Sequence, residues 1–270
     1  MTRVVFSLVL YRHTIDNIEP LLLSIRDLAT SSVGFSIELY IYDATPFSSQ
    51  MVSFSEIEHV LNNLKFFYNT GANVGYGSAN NINFANSNAQ QNDLFIVVNP
   101  DIYFSPHRLL PLLNFITSNS DYVCCAPLVT LCDGSVQFSV KQNPTFLSLL
   151  IGRFSFLKIF AAFRKYDFWH KNLMYDYTTD FIESTYLSGC FLLIPSWAYI
   201  KVGGFSEQYF LHFEDADIVR KLSMYGYTKH VPLGRVTHGW ARGSHTSPSQ
   251  ILSLMRSYLI YSIIWGPKFL

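Results

Sequence analysis

Short apolar segments alternate with helical segments through the first hundred residues, and this alternation restricts the possible folds more than any other feature. Four of the apolar segments are typical of strands: Val4–Leu10, Phe35–Tyr42, Lys65–Tyr68 and Leu94–Val98. The first and the last are almost continuously apolar, as expected for strands covered on both faces. Helices between successive strands favour parallel pairing with right-handed crossovers. The sequence therefore predicts an α/β fold with a doubly wound, mostly parallel sheet.

The segments around these strands complete the predicted order. We expect the first helix to be capped by Asn17 and to hold Pro20 in its first turn. The other predicted elements, in chain order, are helices at Glu56–Leu61, from the glycine-rich turn to about Ala89, and at Pro106–Ser118, a strand at Tyr122–Ala126, a turn at Asp133-Gly134, and strands at Thr185–Pro195 and Tyr227–Val231.

Composition limits the class of protein. The chain has 270 residues, of which 49% are hydrophobic, enough for one sizeable core or two small ones. Lys plus Arg and Asp plus Glu balance at 19 each, which argues against nucleic acid as a partner. The apolar run near the N-terminus is too short to span a membrane. With no visible repeat or linker, we predict a single domain in the cytoplasm.

The cysteines show no metal-binding or disulfide pattern. None of Cys124, Cys125, Cys132 and Cys190 forms a Cys-x-x-Cys pair, and three of them lie in or beside apolar, strand-like runs. This arrangement favours buried, reduced thiols over disulfides or a zinc site.

Polar side chains follow three predicted strands where the strands end: Asp43, Asp101 and His238. Pro100 cannot continue a central strand, so Asp101 is expected at the carboxyl end of its strand, where ligands bind in open α/β sheets. An aspartate there binds a ribose or base, or merely caps a turn, and a single histidine is more often structural. Together, Asp101 and His238 have the ligand chemistry for a divalent cation that also binds a diphosphate, and Mn²⁺ tolerates imidazole better than Mg²⁺.

A second group of acids lies in the segment from Gly203 to Asp217. Glu214, Asp215 and Asp217 stand at the predicted start of a helix, directly after an aromatic run. Carboxylates at this position cap a helix and offset its positive end. Capping alone does not explain three acids together, so the segment is also a candidate for chemistry.

The glycine-rich turn from Gly71 to Gly77 is not a known phosphate loop. It lacks the Gly-Lys-Ser/Thr ending and does not follow the first strand. A tight turn that lets the backbone approach a ligand remains consistent with it. The chain also lacks a Gly-x-Ser-x-Gly elbow, which argues against a hydrolase.

Taken in order, these motifs resemble those of family-2 glycosyltransferases. The resemblance is to the bacterial rhamnosyltransferase-like branch that builds O-antigen and other surface polysaccharides, and it extends from the first strand to about Ser244. The matching motifs are Asn73-x-Gly75-x-Gly77-x-Ala-Asn80-Asn81, Asn99-Pro100-Asp101, Asp133-Gly134-Ser with Gln137, Gly203-Gly204-Phe205-x-Glu207, Glu214-Asp215-x-Asp217 and His238.

The resemblance implies a GT-A fold, a nucleotide-diphosphate sugar donor, a divalent metal (Mn²⁺ or Mg²⁺) and inversion at the anomeric carbon. It implies metal binding by Asp101 and His238, with Asn99 in place of the first acid of the metal motif. It implies a nucleoside contact by Asp43 and a catalytic base at Asp215. The remaining residues expected at substrate are Asn73, Gly75, Asn80, Glu214, Asp217 and Trp240. For Glu214 and Asp217 helix capping is an alternative, and for Trp240 core packing is equally consistent.

The implied protein is an inverting, metal-dependent glycosyltransferase, with dTDP-L-rhamnose as one candidate donor and a saccharide or lipid-linked saccharide as acceptor. Residues 1–105 would bind the nucleotide sugar, 106–245 would bind the acceptor and carry catalysis, and 246–270 would form an apolar tail. Two other classes are a non-catalytic saccharide-binding relative and a sugar nucleotidyltransferase. The latter needs a glycine-rich loop after the first strand, which Leu10-Tyr11-Arg12-His13 does not provide.

Two segments suggest contact with a membrane. Phe146 to Lys165 mixes aromatic and basic residues, consistent with a basic amphipathic helix on an anionic surface or with a helix packed at the sheet edge. The tail from Ile251 to Leu270 is apolar and aromatic, and could dock on the fold, pair with another subunit or touch a bilayer. The sequence makes no prediction of oligomeric state.

Overall fold

The computed structural model describes residues 1–239 and 248–269. The first part of the chain alternates strands and helices: β1 (Thr2–Leu10), α1 (Ile15–Ser31), β2 (Phe35–Asp43), α2 (Phe54–Leu61), β3 (Phe66–Thr70), α3 (Tyr76–Ser87) and β4 (Leu94–Val98). The second part is less regular: β5 (Ile102–Tyr103), α4 (Pro106–Ser118), β6 (Tyr122–Leu131), α5 (Phe146–Arg153), α6 (Ala161–His170), β7 (Ile182–Glu183), β8 (Phe191–Pro195), α7 (Ser196–Val202), α8 (Glu214–Leu222), β9 (Tyr227–His238) and α9 (Pro248–Trp265).

Over the described residues the strands form one mixed sheet, in the order β3-β2-β1-β4-β8-β6-β9-β5, with β7 paired to β9. β1 pairs in parallel with both β2 and β4, and β2 with β3. β8 runs antiparallel between β4 and β6. The predicted α/β fold, with a parallel half and a smaller antiparallel part, is confirmed.

The core lies on both faces of the sheet because successive strand residues point to opposite sides. Val4, Phe6 and Leu8 of β1 pack with the apolar faces of α1, α2 and α4. Val5 faces the other way, toward α7 and α8. Since β1 is covered on both faces, its continuous apolar run is the pattern that such a strand requires.

The first helix starts earlier than predicted. Thr14, not Asn17, is its N-cap residue, and Asn17 completes the cap by accepting from the Thr14 backbone N–H at 3.0 Å. Pro20 consequently lies inside the helix rather than in its first turn. The reciprocal Thr14–Asn17 capping box fixes the start of the helix, so local hydrogen bonding outweighs the cost of an internal proline.

Three predicted strands differ clearly in length from the observed ones. The strand predicted at Tyr122–Ala126 continues to Leu131 as β6. The strand predicted from Thr185 begins only at Phe191, because the residues before it bond to loops: Ser188 N–H donates to the Ser139 carbonyl, and Gly189 N–H donates to the Asp215 carboxylate. The late strand predicted to end at Val231 continues to His238 as β9. It does so past Pro232, where its pairing with β6 is irregular, as expected for a proline within a sheet.

The segment from Phe146 to Lys165 is not one helix. It is divided into α5, a 3₁₀ turn at Ser155–Ile159, and α6. Gly152, a weak helix former, lies just before the break at Phe154, whose backbone is not helical. The backbone N–H of Phe146 donates to the Lys268 carbonyl at 3.0 Å, so this segment and the C-terminal segment pack together.

The C-terminal helix α9 docks on the fold through one face. Tyr261 is buried against Phe213, while Leu259 and Ile263 are exposed. Across residues 1–239 and 248–269, no helix has the length and hydropathy to cross a membrane. The four cysteines are free thiols; Cys124, Cys125 and Cys190 are buried as expected, but Cys132, at the end of β6, is exposed.

Candidate active site

One large cleft of about 1240 Å³ opens where β1, β2 and β4 end, on the edge that the strand-end residues predict. Among the predicted site residues, those that line the cleft are Asn73, Gly75, Asn99, Asp101, Glu214, Asp215 and His238. These residues come from distant parts of the sequence. The carboxyl edge of a parallel sheet brings them together because every strand there ends on the same side.

Asp101 and His238 form a pair at one end of the cleft. Asp101 Oδ1 lies 3.0 Å from His238 Nε2, and the register of β5 against β9, which places Ile102 opposite His238, sets this contact. His238 Nδ1 lies 2.7 Å from the Gln137 Oε1 atom. The tautomer that donates from Nδ1 to this oxygen would leave the Nε2 lone pair for a cation held between Nε2 and the Asp101 carboxylate.

That arrangement suits a divalent cation. An imidazole nitrogen and a carboxylate facing each other are the ligand chemistry that Mn²⁺ accepts, and an oxygen bonded to the other ring nitrogen usually orients a metal-binding histidine. Within the described part of the chain, no group of three or more His, Cys, Asp or Glu residues is spaced to hold a metal ion. Two protein ligands leave positions that the oxygens of a diphosphate can fill.

Asp43 lies at the end of β2, as predicted. The residue is only 2% exposed, so its carboxylate bonds to the protein itself. One oxygen accepts from the Thr45 N–H at 2.9 Å and the other from the Tyr68 hydroxyl at 2.8 Å. Burial, followed by this bond to Asp43, raises the pKa of Tyr68 well above its usual value. The carboxylate holds the turn that presents Ala44 to the cleft.

The glycine-rich turn is shaped by the protein itself. Gly75 has a φ of +91°, and a Cβ added there would lie 2.4 Å from the backbone oxygen of Phe210. The same oxygen accepts from the Tyr76 N–H at 3.1 Å, and Asn73 accepts from the Gly75 N–H at 3.2 Å. The close approach that requires glycine is therefore to the loop before Glu214, on the opposite side of the cleft.

Asn80 is fully buried beneath the sheet edge. Its side chain accepts from the Ser7 hydroxyl at 2.6 Å and donates to the Tyr76 carbonyl at 2.9 Å. The expected contact of Asn80 with substrate stays a prediction, and the structure places the side chain in the core. A polar side chain inside a helix that packs on a strand needs such partners, and Ser7 of β1 provides one.

The Glu214-Asp215 pair occupies the cleft wall opposite the sheet. Asp215 Oδ2 accepts from the Gly189 N–H at 2.9 Å, and Oδ1 accepts from the Ala216 N–H at 2.9 Å. An added Cβ on Gly189 would lie 3.0 Å from the Asp215 Cβ, so the glycine permits this contact. Asp215 is thereby held with a fixed orientation at the N-terminus of α8, where a carboxylate is stabilised.

Glu214 is only 6% exposed to solvent, and its Oε2 has no hydrogen-bond partner among the described residues. Burial, and after it the neighbouring Asp215 carboxylate, raises the pKa of Glu214 to about 8. The raised pKa favours the protonated carboxyl at neutral pH, and a protonated Glu214 in the cleft wall has a hydrogen to donate.

Asp217 lies outside the cleft and is fully buried. Its Oδ1 accepts from the Trp265 indole N–H at 2.8 Å, and its Oδ2 lies 2.6 Å from the Lys221 ammonium. These contacts tie α8 to α9, and the expected contact of Asp217 with the acceptor stays a prediction. Trp240, the last predicted site residue, lies outside the described residues.

The loop before α8 has a strained backbone. His212 and Phe213 have φ angles of 72° and 65°, a region that non-glycine residues rarely adopt. Each such residue costs on the order of 1–3 kcal/mol and persists only where surrounding contacts impose it. Phe213 packs against Tyr258 and Tyr261 of α9, and its carbonyl accepts from the Asp217 N–H. These contacts turn Glu214 and Asp215 into the cleft.

The sequence did not identify several residues that line the cleft. The Tyr76 hydroxyl donates to Asn99 Oδ1 at 3.0 Å and lies 3.2 Å from the Gly189 carbonyl, so it joins the two sides of the site. Lys141, His170 and Tyr186 line the cleft beyond Asp215. Tyr76 lies inside the Asn73–Asn81 motif, which is the one signal that could have found it.

No protein-family profile matches the chain. It is similar to the N-acetylglucosaminyl-diphospho-decaprenol L-rhamnosyltransferase of Mycobacterium tuberculosis, with 29% identity over 202 residues, 68% of this chain and 62% of that protein. It is 25% identical over 182 residues to rhamnosyltransferase WbbL of Escherichia coli, which covers 63% of each chain. The chain thus spans less than two thirds of the length of these relatives.

Solved structures share the fold at low identity. GalNAc-T7 with UDP, GalNAc and Mn²⁺ superimposes with a TM-score of 0.68 at 15% identity, covering 98% of this chain and 48% of that one. Residues 1–349 of Staphylococcus aureus TarS in complex with UDP-GlcNAc give 0.57 at 14% identity, covering 99% and 67%. The fold is that of GT-A glycosyltransferases. The resemblance to the rhamnosyltransferase-like branch, expected from the motifs, is also confirmed.

Proposed function

We propose that the chain is an inverting glycosyltransferase that moves a sugar from a nucleotide-diphosphate donor to a saccharide or lipid-linked saccharide in surface polysaccharide synthesis. The observation that carries this proposal is one cleft with the oriented Asp215 carboxylate on one wall and the Asp101–His238 pair on the other. Because the similar proteins of Mycobacterium tuberculosis and Escherichia coli are rhamnosyltransferases, dTDP-L-rhamnose is the first donor to test.

Asp215 would act as the base. An acceptor hydroxyl is a poor nucleophile at neutral pH, and a positioned carboxylate that removes its proton typically contributes about 10²–10⁴-fold. Asp215 fits this role better than Glu214, because the pKa of Glu214 is raised to about 8 and its carboxyl already carries a proton. Glu214 would instead donate a hydrogen bond to a sugar oxygen from its otherwise unpartnered carboxyl group.

Asp101 and His238 would hold the divalent cation, with Gln137 fixing the histidine tautomer. The bound ion would offset the negative charge that develops on the leaving nucleoside diphosphate. Asn99, on the floor of the cleft, would be oriented by Tyr76. Ala44 and the turn fixed by Asp43 would border the nucleoside, and Asn73 with Gly75 would form the adjacent rim.

A peripheral position on the cytoplasmic face of a membrane would suit a lipid-linked acceptor. Phe154, Phe156 and Phe160 are exposed in the segment between α5 and α6, and Arg164 and Lys165 are exposed beside them. Aromatic side chains together with basic ones fit the interface of an anionic bilayer. The protein should co-sediment with phosphatidylglycerol vesicles at low salt and less so at high salt, and a lack of binding at low salt would exclude this location.

The function is tested by measuring thermal stability with a panel of nucleotide sugars in the presence of Mn²⁺, followed by transfer assays with the donors that bind. A ligand selective for the folded state raises the unfolding temperature, so the correct donor should stand out from the panel. Transfer should stop on chelation and return with Mn²⁺ or Mg²⁺. A donor that binds without turnover on any acceptor would indicate a non-catalytic saccharide-binding protein.

A further inference from the structure

The cleft continues past Asp215 into a recess that the proposed reaction does not use. Lys141 and Tyr186 form one side of it, and Asp167, His170 and Lys171, from the C-terminal end of α6 and the residue after it, form the other. Tyr186 lies close enough to the catalytic pair that the Asp215 and Glu214 carboxylates help raise its pKa, after burial. The recess therefore opens beside the proposed base.

The recess carries positive charge. Lys158 and Lys171 share the Asp167 carboxylate, at 2.9 Å and 3.0 Å respectively. The Lys141 ammonium lies 5.2 Å from the centre of the Tyr186 ring, and no carboxylate of residues 1–239 or 248–269 forms an ion pair with it. Of these charged residues, the ones that line the cleft are the cationic Lys141 and Lys171 and the anionic Asp167.

His170 provides an independent sign of a ligand. It is 8% exposed, and its Nε2 is buried without a hydrogen-bond partner among the described residues. A buried polar group without a partner destabilises the folded state, so a ligand that bonds to it would remove that cost. Burial, and next the nearby Lys141 ammonium, lowers the pKa of His170 to about 4, so the ring is neutral at neutral pH. A neutral imidazole can donate one hydrogen to an anionic oxygen in the recess.

Apolar side chains are exposed in the chain segment that follows one of the cleft-lining residues. Gly152 at the end of α5 lines the cleft, and the exposed side chains that follow it include Phe154, Phe156 and Ile159, exposed by 46%, 61% and 74%. The cleft therefore combines a polar part beside the base with a cationic recess, and an exposed apolar segment follows one of its lining residues. A molecule in which an anionic group joins a saccharide to an apolar chain matches this combination.

We propose that the Lys141–His170–Lys171 recess binds the diphosphate linkage of a lipid-linked saccharide acceptor and so sets its terminal sugar beside Asp215. This inference rests on the proposed function in taking the acceptor to be lipid-linked. Phosphate oxygens suit the site because two ammonium groups and a neutral imidazole can donate hydrogen bonds to them. The donor also contains a diphosphate, so the test must separate the two sources.

The test measures binding of geranyl diphosphate and of geraniol in the presence of a chelator, which removes any contribution from a metal at Asp101. Lys141→Met removes the charge and keeps an apolar stem over Tyr186. Lys201→Met is the matched control, because Lys201 lies 5.7 Å from the Tyr225 ring but outside the cleft. We expect the wild-type chain to prefer geranyl diphosphate, and Lys141→Met to weaken that binding about 10–100-fold, as for loss of a charge-assisted hydrogen bond.

Geraniol binding should not change in Lys141→Met, and Lys201→Met should change neither ligand. Lys141→Arg should retain most of the affinity, and His170→Gln provides a second test if Lys141→Met does not fold. Equal affinity of the wild-type chain for geranyl diphosphate and geraniol would overturn the proposal. So would weaker binding of a nucleoside diphosphate with Mn²⁺ in Lys141→Met, which would assign the recess to the donor. If the protein transfers sugar but the recess does not bind geranyl diphosphate, this inference is wrong and the proposed function still stands.

Discussion

The two walls of the cleft are built in different ways. On the sheet wall, Asn99 and Asp101 follow β4 directly, and strand register places His238 beside Asp101. On the other wall, Asp215 follows two residues with positive φ and is held by a distant glycine N–H and by packing against α9. The first wall depends on regular backbone hydrogen bonds, and the second on side-chain packing that holds a strained loop.

This contrast shows where the fold can tolerate change. The sheet wall is part of the main core, whereas the loop wall depends on a small aromatic cluster that includes Tyr209, Phe213 and Tyr261. Gly75 joins the two walls through the Phe210 backbone. Four substitutions test the contrast, from the largest expected effect to the smallest.

Asp215→Asn should have the largest effect. The amide can still accept from the Gly189 N–H but cannot remove a proton, so turnover should fall about 10²–10⁴-fold while the unfolding temperature changes little. Steady-state transfer assays and thermal unfolding on the same preparation measure both quantities. Turnover within a few-fold of the wild type would show that the loop wall does not carry the base.

Gln137→Leu tests the sheet wall. Loss of the oxygen that orients His238 should weaken Mn²⁺ affinity about 10–100-fold, as for other second-shell partners of metal-binding histidines. Activity is titrated with Mn²⁺, and Gln90→Leu, at an exposed surface glutamine, is the control. An unchanged Mn²⁺ dependence would mean that His238 does not bind the ion.

Asp217→Asn should affect stability rather than chemistry. Removing the charge leaves Lys221, which is 24% exposed, without its buried partner, and we expect a loss of about 2 kcal/mol, less than for a fully buried pair. Urea unfolding measures the change, and turnover per folded molecule should stay within a few-fold of the wild type. Full stability with lost turnover would reverse the roles assigned to Asp215 and Asp217.

Glu214→Gln should change how stability depends on pH. The folded-state pKa of Glu214, about 8, is above its unfolded value of 4.5, so the unfolded chain releases a proton first as pH rises. Wild-type stability should therefore include a contribution that is present below pH 4.5 and is lost between pH 4.5 and about 8. Glu214→Gln should lack this decline in urea unfolding from pH 5 to 9, and identical slopes for both proteins would mean that Glu214 is ionised when folded.

The sheet wall was largely predictable, and the loop wall was not. Asp101 follows an apolar strand and a proline, a local pattern that fixes its place at the sheet edge. The burial of Asn80 and its bond to Ser7 were not predictable, because the sequence does not show which face of its helix packs on β1. The roles of Glu214 and Asp217 were open because a helix start shows which acids are close in sequence, but not which side chain faces the cleft.

Sequence alone determined the α/β order, the carboxyl edge as the ligand-binding edge and the resemblance to rhamnosyltransferase-like enzymes, because strand periodicity, turn residues and motif order are local properties of the chain. Only the tertiary structure decided that Asp215 faces the cleft while Asp217 bonds Trp265, that Gln137 orients His238, and that Lys141 and His170 form a recess. These contacts join residues far apart in sequence, and burial, packing and hydrogen-bond geometry exist only once the chain has folded.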